Sequence, residues 1–247
     1  LALTVVLGCG GSTKEQSATA DVAGEFAKVQ EARSALDAAR SALTDVRAEL
    51  DALNAKGNLT AEETARKGEL EAQLLDAQRA FDAAYEDDQN ALSNFLNLAL
   101  NDEAMKNAPQ TREALRLYAD GAIANAMNFM EVSGEYGKAI DVLQTAASYF
   151  EFIEAPVPED LQATIEKAQR LRYLSKDRFD QITKGMTEAR VKAITGTPLY
   201  ANVREAKAQG RTIISWLFPR DPAEGGAAAI YFDKGKVYAT KWDATGK

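Results

Sequence analysis

The chain has 247 residues, of which 46% are hydrophobic and 27% are charged, and its formal net charge is −8. This composition is too polar for a protein with several membrane-spanning helices and too apolar for a disordered chain. With no histidine and one cysteine, the chain cannot build a histidine or cysteine zinc site, a Ser-His-Asp triad or an internal disulfide bond. Carboxylates, lysines and hydroxyls remain for chemistry.

Residues 1–9 form an apolar segment that ends in Gly8 and in Cys9, the single cysteine of the chain. The segment is shorter than the roughly 20 residues that cross a bilayer, but its length suits the hydrophobic region of a signal peptide. Val6-Leu7-Gly8-Cys9 resembles the lipobox of bacterial lipoproteins. The resemblance implies cleavage before Cys9, lipidation of this residue and attachment to membrane lipid without a transmembrane helix.

Gly10 follows where an aspartate marks inner-membrane retention in that family, so the resemblance implies the periplasmic face of the outer membrane. The alternative is an ordinary signal peptide, shortened here, with an incidental cysteine. Residues 10–20 begin with Gly10-Gly11-Ser12-Thr13, and we expect a flexible tether over this range.

A helical coiled-coil hairpin is predicted for residues 21–103. Apolar residues recur at a spacing of 3.5 residues, with one heptad position occupied by Val22, Val29, Leu36, Leu43 and Leu50. Lys56-Gly57-Asn58 breaks the pattern, and Thr60 with Glu63 predicts the capping box of a second, antiparallel helix. Asp88 interrupts the apolar rhythm of that helix. At about 1.5 Å per residue such an arm reaches roughly 45–60 Å. The alternative is that both helices belong to a compact bundle.

Residues 104–182 are predicted to be helical, with helices that begin near Pro109 and at Glu159. Gly134-Glu135-Tyr136, followed by Ala139, Leu143 and Ala146, resembles the turn and second helix of a tetratricopeptide repeat. The sequence contains no second copy of this pattern, so an ordinary helix pair is the alternative.

The last segment, residues 183–247, changes to a mixed pattern. Thr187 begins a short helix that stops at Gly196-Thr197-Pro198, and three strands are predicted at 212–218, 228–232 and 236–242. Asp233-Lys234-Gly235 is a plausible tight turn between the last two strands. The predicted fold is therefore mostly α: a hairpin and helical bundle, followed by a small α+β domain with a helix and a three-stranded antiparallel sheet.

This last segment resembles the SmpA/OmlA family, the BamE-like module of outer-membrane lipoproteins. The matching residues are Lys184-Gly185-Met186-Thr187, Val191, Ile194, Gly196-Thr197-Pro198, Trp216, Phe218, Phe232 and Val237. The resemblance implies a non-catalytic accessory subunit of the β-barrel assembly machine that binds protein partners and anionic lipid. The chain departs from the family in its long helical region ahead of the module, in Ile194-Thr195 where a leucine pair is commoner, and in the Gly225-Gly226 loop.

Charge divides unevenly along the chain. Residues 1–182 contain 18 basic and 31 acidic residues, whereas residues 183–247 contain 11 basic and 6 acidic residues. A basic module beside an acidic helical region suits an acidic partner or anionic headgroups. The basic residues lack the density and the aromatic interleaving of nucleic-acid motifs, so no nucleic acid is expected as a partner. The alternative is that the modest excess of positive charge in residues 183–247 has no function.

The sequence favours an interaction protein over an enzyme. Glu62-Glu63 and Asp87-Asp88 are adjacent on predicted helices, where neighbours point about 100° apart and cannot form a dyad from one helix. No phosphate loop, nucleophile motif or cofactor signature is present, and no cofactor is expected. Tyr200, Arg211, Trp216 and Arg220 have the aromatic-plus-arginine composition of interface hot spots. We therefore expect a lipid-anchored scaffold of the cell envelope. The alternative is a structural tether to peptidoglycan, attached through Lys247 as in the major murein lipoprotein.

Overall fold

The computed structural model describes residues 13–208, 210–223 and 225–243. Cys9 and Lys247, the predicted attachment points, lie outside these residues. The chain divides into two compact units between residues 115 and 116.

The first unit contains a long antiparallel helical hairpin, as the heptad pattern predicts. Helix α1 (Thr13–Asn54) packs against helix α2 (Ala61–Leu100). The predicted seam is buried, with Val29 and Leu36 fully inaccessible, and Phe26 of α1 contacts Phe95 of α2 with ring centroids 5.1 Å apart. Helix α1 begins at Thr13, so residues 13–20, which the sequence assigns to the tether, are helical.

The tip of the hairpin is closed by the predicted capping box. The Thr60 hydroxyl accepts a hydrogen bond from the Glu63 amide at 3.2 Å, and the Glu63 carboxylate accepts from the Thr60 amide at 2.9 Å. These bonds satisfy two amides that the first helical turn leaves without partners. Leu50, Leu53 and Leu70 form a small core directly behind the tip.

The remaining helices confirm the predicted starts at Pro109 and Glu159 and the short helix that follows Thr187. A π-helical turn (Phe129–Ser133) separates α3 from α4, and a 3₁₀ turn (Tyr200–Asn202) precedes the sheet. The helices are α3 (Pro109–Asn128), α4 (Tyr136–Phe152), α5 (Glu159–Arg172), α6 (Lys176–Phe179) and α7 (Glu188–Thr195).

Within the described residues, the sheet of the second unit has four antiparallel strands in sequential order, where the sequence predicts three. The strands are β1 (Val203–Ala208), β2 (Arg211–Pro219), β3 (Ala227–Asp233) and β4 (Lys236–Lys241). Strand β1 is an exposed edge strand that carries Arg204, Glu205 and Lys207, so it lacks the apolar alternation by which strands are predicted. Lys234 and Gly235 connect β3 and β4 with φ values of 52° and 72°, the left-handed conformation that a two-residue hairpin turn requires.

One face of the sheet forms the core of the second unit. Trp216, Ile230 and Phe232 lie on this face, and Leu174 and Phe179 pack against them. Because Leu174 and Phe179 come from the segment 104–182, the predicted boundary at residues 182–183 does not separate two cores.

Candidate interaction site

Two of the four predicted interface residues are exposed. Tyr200 has 79% of its surface exposed and lies in the 3₁₀ turn. Arg211 is exposed at the start of β2, where its Nη2 lies 2.9 Å from Asp233 Oδ2.

The other two residues are internal, which corrects the surface role that the sequence suggests for them. Trp216 is 3% exposed, and its ring centroid lies 4.4 Å from that of Phe232. Its large apolar area therefore stabilises the core instead of a partner contact. Arg220 packs over the Trp242 ring at 4.6 Å and pairs with Asp243, which leaves its side chain 11% exposed. Arg211 and Arg220 lie at opposite ends of β2, about 30 Å apart at 3.3 Å per residue, so the four residues do not form one surface.

A different site emerges where two sequence motifs meet. Gly134 has a left-handed φ of 68°, and a Cβ atom there would lie 2.6 Å from the carbonyl carbon and oxygen of Pro198. The Tyr136 hydroxyl donates a hydrogen bond to the Thr197 carbonyl oxygen at 3.2 Å, and the Thr197 hydroxyl donates to the Glu131 carbonyl oxygen at 3.1 Å. Gly134-Glu135-Tyr136 and Gly196-Thr197-Pro198 are thus joined into one contact.

Burial raises the pKa of the Tyr136 phenol. The nearby Arg178 charge lowers this pKa, but its effect is smaller. The phenol is therefore neutral at physiological pH and keeps its proton as the donor to Thr197. The hydrogen bond from Tyr136 to Thr197 is consequently not lost through ionisation of the phenol in this range.

A groove of about 360 Å³ lies beside this contact. Apolar and aromatic side chains line it together with small and polar residues. The residues that line it, called the groove below, are Gly134, Glu135, Tyr136, Gly137, Lys138, Leu171, Arg172, Tyr173, Thr197, Leu199, Asn202, Phe218 and Pro219.

Two large exposed apolar side chains lie close in sequence to residues that line the groove. Val132 lies two residues before Gly134 and is 73% exposed, whereas Tyr200 lies two residues after Pro198 and is 79% exposed. Both are more exposed than the other large hydrophobic residues of the described chain, such as Leu75 at 54%. Because exposed apolar side chains beside a concave surface are typical of protein interfaces, the groove is the candidate interaction site.

Two cationic side chains and one carboxylate line the groove, and the charge of Glu131 also acts on Tyr136. Lys138 Nζ lies 2.6 Å from Glu135 Oε1, and the Arg172 guanidinium stacks over the Tyr173 ring at 5.1 Å. The guanidinium of Arg178 lies behind Tyr173 and donates to its carbonyl oxygen. Sequence reasoning singled out both motifs that build this site but missed the groove, because their contact joins residues about 60 positions apart.

One member of each adjacent acidic pair has a structural partner. Glu63 belongs to the capping box, and Asp88 pairs with Arg33. Across the described residues, no group of three or more acidic or cysteine side chains is arranged to hold a metal ion. None of the described helices combines the length and hydropathy that a membrane span requires.

Comparison of the chain with protein-family models, with curated proteins and with solved structures finds no match. The similarity to lipoproteins with a BamE-like module therefore stays a prediction from the motifs.

Proposed function

We propose that the chain is a lipid-anchored interaction protein of the bacterial cell envelope, held by acylated Cys9 at the periplasmic face of the outer membrane. In this proposal the groove of the second unit binds another envelope protein. The BamE-like motifs favour an accessory subunit in outer-membrane protein assembly. The protein acts by binding and not by catalysis.

The observation that carries the proposal is the exposure of Val132 and Tyr200, each of which lies within two residues in sequence of a residue that lines the groove. Burying such exposed apolar area on a partner contributes roughly 25 cal/mol per Å², whereas leaving it in water brings no stability to the free protein. The glycine and tyrosine contacts fix the wall before a partner arrives, so little conformational entropy is lost on binding.

A structural tether is the second candidate, and the length of the hairpin favours it. Helix α1 has 42 residues and is therefore about 63 Å long at 1.5 Å per residue. An arm of this size separates two envelope layers without needing a binding groove.

Purification from detergent-solubilised native membranes distinguishes the candidates. We expect mass spectrometry to find acyl chains on Cys9 and to find envelope proteins in stoichiometric amounts. Val132→Ser with Tyr200→Ser should remove these proteins, whereas Leu75→Ser, at an exposed leucine of α2, should retain them. Covalent recovery with peptidoglycan, unaffected by the groove variant, supports the tether. A soluble protein with an unmodified thiol contradicts both candidates.

A further inference from the structure

We propose that the groove binds an apolar side chain of a partner protein whose flanking residues are acidic. The inference rests on the proposed function, because it specifies the chemistry of the partner at the same site.

The shape and lining of the groove suit a side chain of a peptide segment. Its volume of about 360 Å³ lies at the lower end of the range of roughly 300–1,000 Å³ that is usual for ligand pockets. Leu171, Leu199 and Phe218 line it, and the exposed Val132 and Tyr200 lie two residues from Gly134 and one residue from Leu199 in the sequence. An anchor in the groove, with its neighbours on Val132 and Tyr200, is the arrangement of an interface hot spot.

The charge of the groove specifies the residues around that anchor. Lys138 and Arg172 line the groove, and Glu135, the one acidic residue of its lining, is already paired with Lys138. Arg172 makes no ion pair with a carboxylate in the part of the chain that the structure describes, where it contacts the Tyr173 ring. A carboxylate from a partner is therefore the complement of this rim.

Arg178 adds to the positive charge from behind the groove. Its Nη1 atom is buried and has no hydrogen-bond partner among the described residues. Burial, and secondarily the charge of Arg170, lower its pKa from the usual value, and Tyr136 opposes them to a smaller extent. An acidic residue bound at Tyr173 would relieve this uncompensated charge, because opposite charges interact strongly where solvent is partly excluded.

The test uses the full-length protein and an array of short synthetic peptides. Each peptide has a central Leu, Phe or Trp, flanked by aspartate and glutamate, by lysine, or by serine and glycine. We expect retention on the acidic set, and weaker binding of these peptides at high salt, as electrostatic screening requires.

Two kinds of variant locate the binding. Arg172→Gln and Tyr200→Ser should each weaken the binding of acidic peptides about tenfold, the usual loss at an interface hot spot. Arg190→Gln, an exposed arginine of α7 outside the groove, and Leu75→Ser are the matched controls and should leave the binding unchanged. Thermal unfolding of each variant checks that the fold is retained.

Three results would overturn the inference. These are retention of no peptide, equal retention of acidic and neutral peptides, and acidic binding that persists in both groove variants. If neutral and acidic peptides are retained equally and Tyr200→Ser abolishes the binding of both, the inference of acidic flanking residues is wrong. The proposed function, binding of a partner protein at the groove, then still stands. The proposed function itself fails separately, if the native membrane complex is insensitive to the groove.

Discussion

Arg33 of α1 and Asp88 of α2 form an ion pair inside the helical hairpin. Arg33 Nη2 donates to Asp88 Oδ2 at 3.0 Å, and Arg33 Nε lies 3.0 Å from Asp88 Oδ1 but is not aligned to donate to it. The Asp88 side chain is fully buried, and that of Arg33 is 18% exposed. The residue that interrupts the apolar pattern of the second helix is therefore matched across the hairpin by a cation.

We predict that the two partners of this pair are coupled in stability. Arg33→Met should lower the free energy of unfolding by about 3 kcal/mol, because it leaves a buried carboxylate without its cation. Arg33→Met combined with Asp88→Leu should restore or exceed the original stability, since well-packed apolar residues often replace a buried pair without loss. Chemical denaturation followed by helical circular dichroism measures both. Equal losses in the single and the double variant would show that the pair stabilises the hairpin outright.

The same pair predicts an unusual dependence on pH. Burial raises the pKa of Asp88, and the charge of Arg33 opposes this only in part, with smaller contributions from Gln89, Asp37 and Arg40. A carboxyl with a raised pKa in the folded state binds its proton more tightly there than in the unfolded chain. Its contribution to stability therefore falls as the pH rises from the ordinary pKa through the raised one.

Asp88→Asn should remove this contribution. We expect the stability of the original protein relative to Asp88→Asn to decrease between the ordinary and the raised pKa, in denaturation curves recorded across acidic pH. A relative stability that increases with pH in this window would mean that Arg33 lowers the pKa of Asp88.

The contact between Gly134 and Pro198 predicts a strong intolerance of substitution. Gly134→Ala should destabilise the second unit by roughly 2–4 kcal/mol, because it combines a left-handed backbone with a clash against the Pro198 carbonyl. Gly137→Ala, three residues away in α4, has open space around its Cβ position and should be neutral or stabilising by up to about 1 kcal/mol. Melting temperatures compare the two variants, and similar values would contradict the close approach.

Trp216 and Tyr200, which the sequence assigns to one interface, should differ in how much their substitution lowers the free energy of unfolding. Trp216→Ala should cost about 3–5 kcal/mol, because it removes a buried ring from the sheet core. Tyr200→Ala should stay within about 0.5 kcal/mol of the original protein, because its side chain is exposed. Chemical denaturation monitored by circular dichroism tests this, and a large loss at Tyr200 would give that residue a structural role.

Local signals in the sequence predict much of the fold. The heptad position of Val29 and Leu36 predicts the buried seam, and Thr60 with Glu63 predicts the capping box, because these features depend on residues three to seven apart. Strand β1 escapes prediction because its charged residues pair through the backbone at a sheet edge.

The groove escapes prediction for a different reason. Gly134 and Pro198 are recognisable as helix breakers, but their contact joins the turn before α4 to the turn after α7, which no local pattern encodes. The same holds for Trp216, whose composition suits an interface and a core equally until the sheet face is known.

Photocrosslinking in native cells tests the central claim, that the groove binds an envelope protein, most directly. A photoreactive amino acid is placed at position 132 or 200, each within two residues of the groove lining in sequence, or at position 75 of the hairpin as the control. We predict that both groove positions crosslink to the same envelope protein and that position 75 does not. The absence of adducts at positions 132 and 200, or the same adduct at all three positions, would contradict the account.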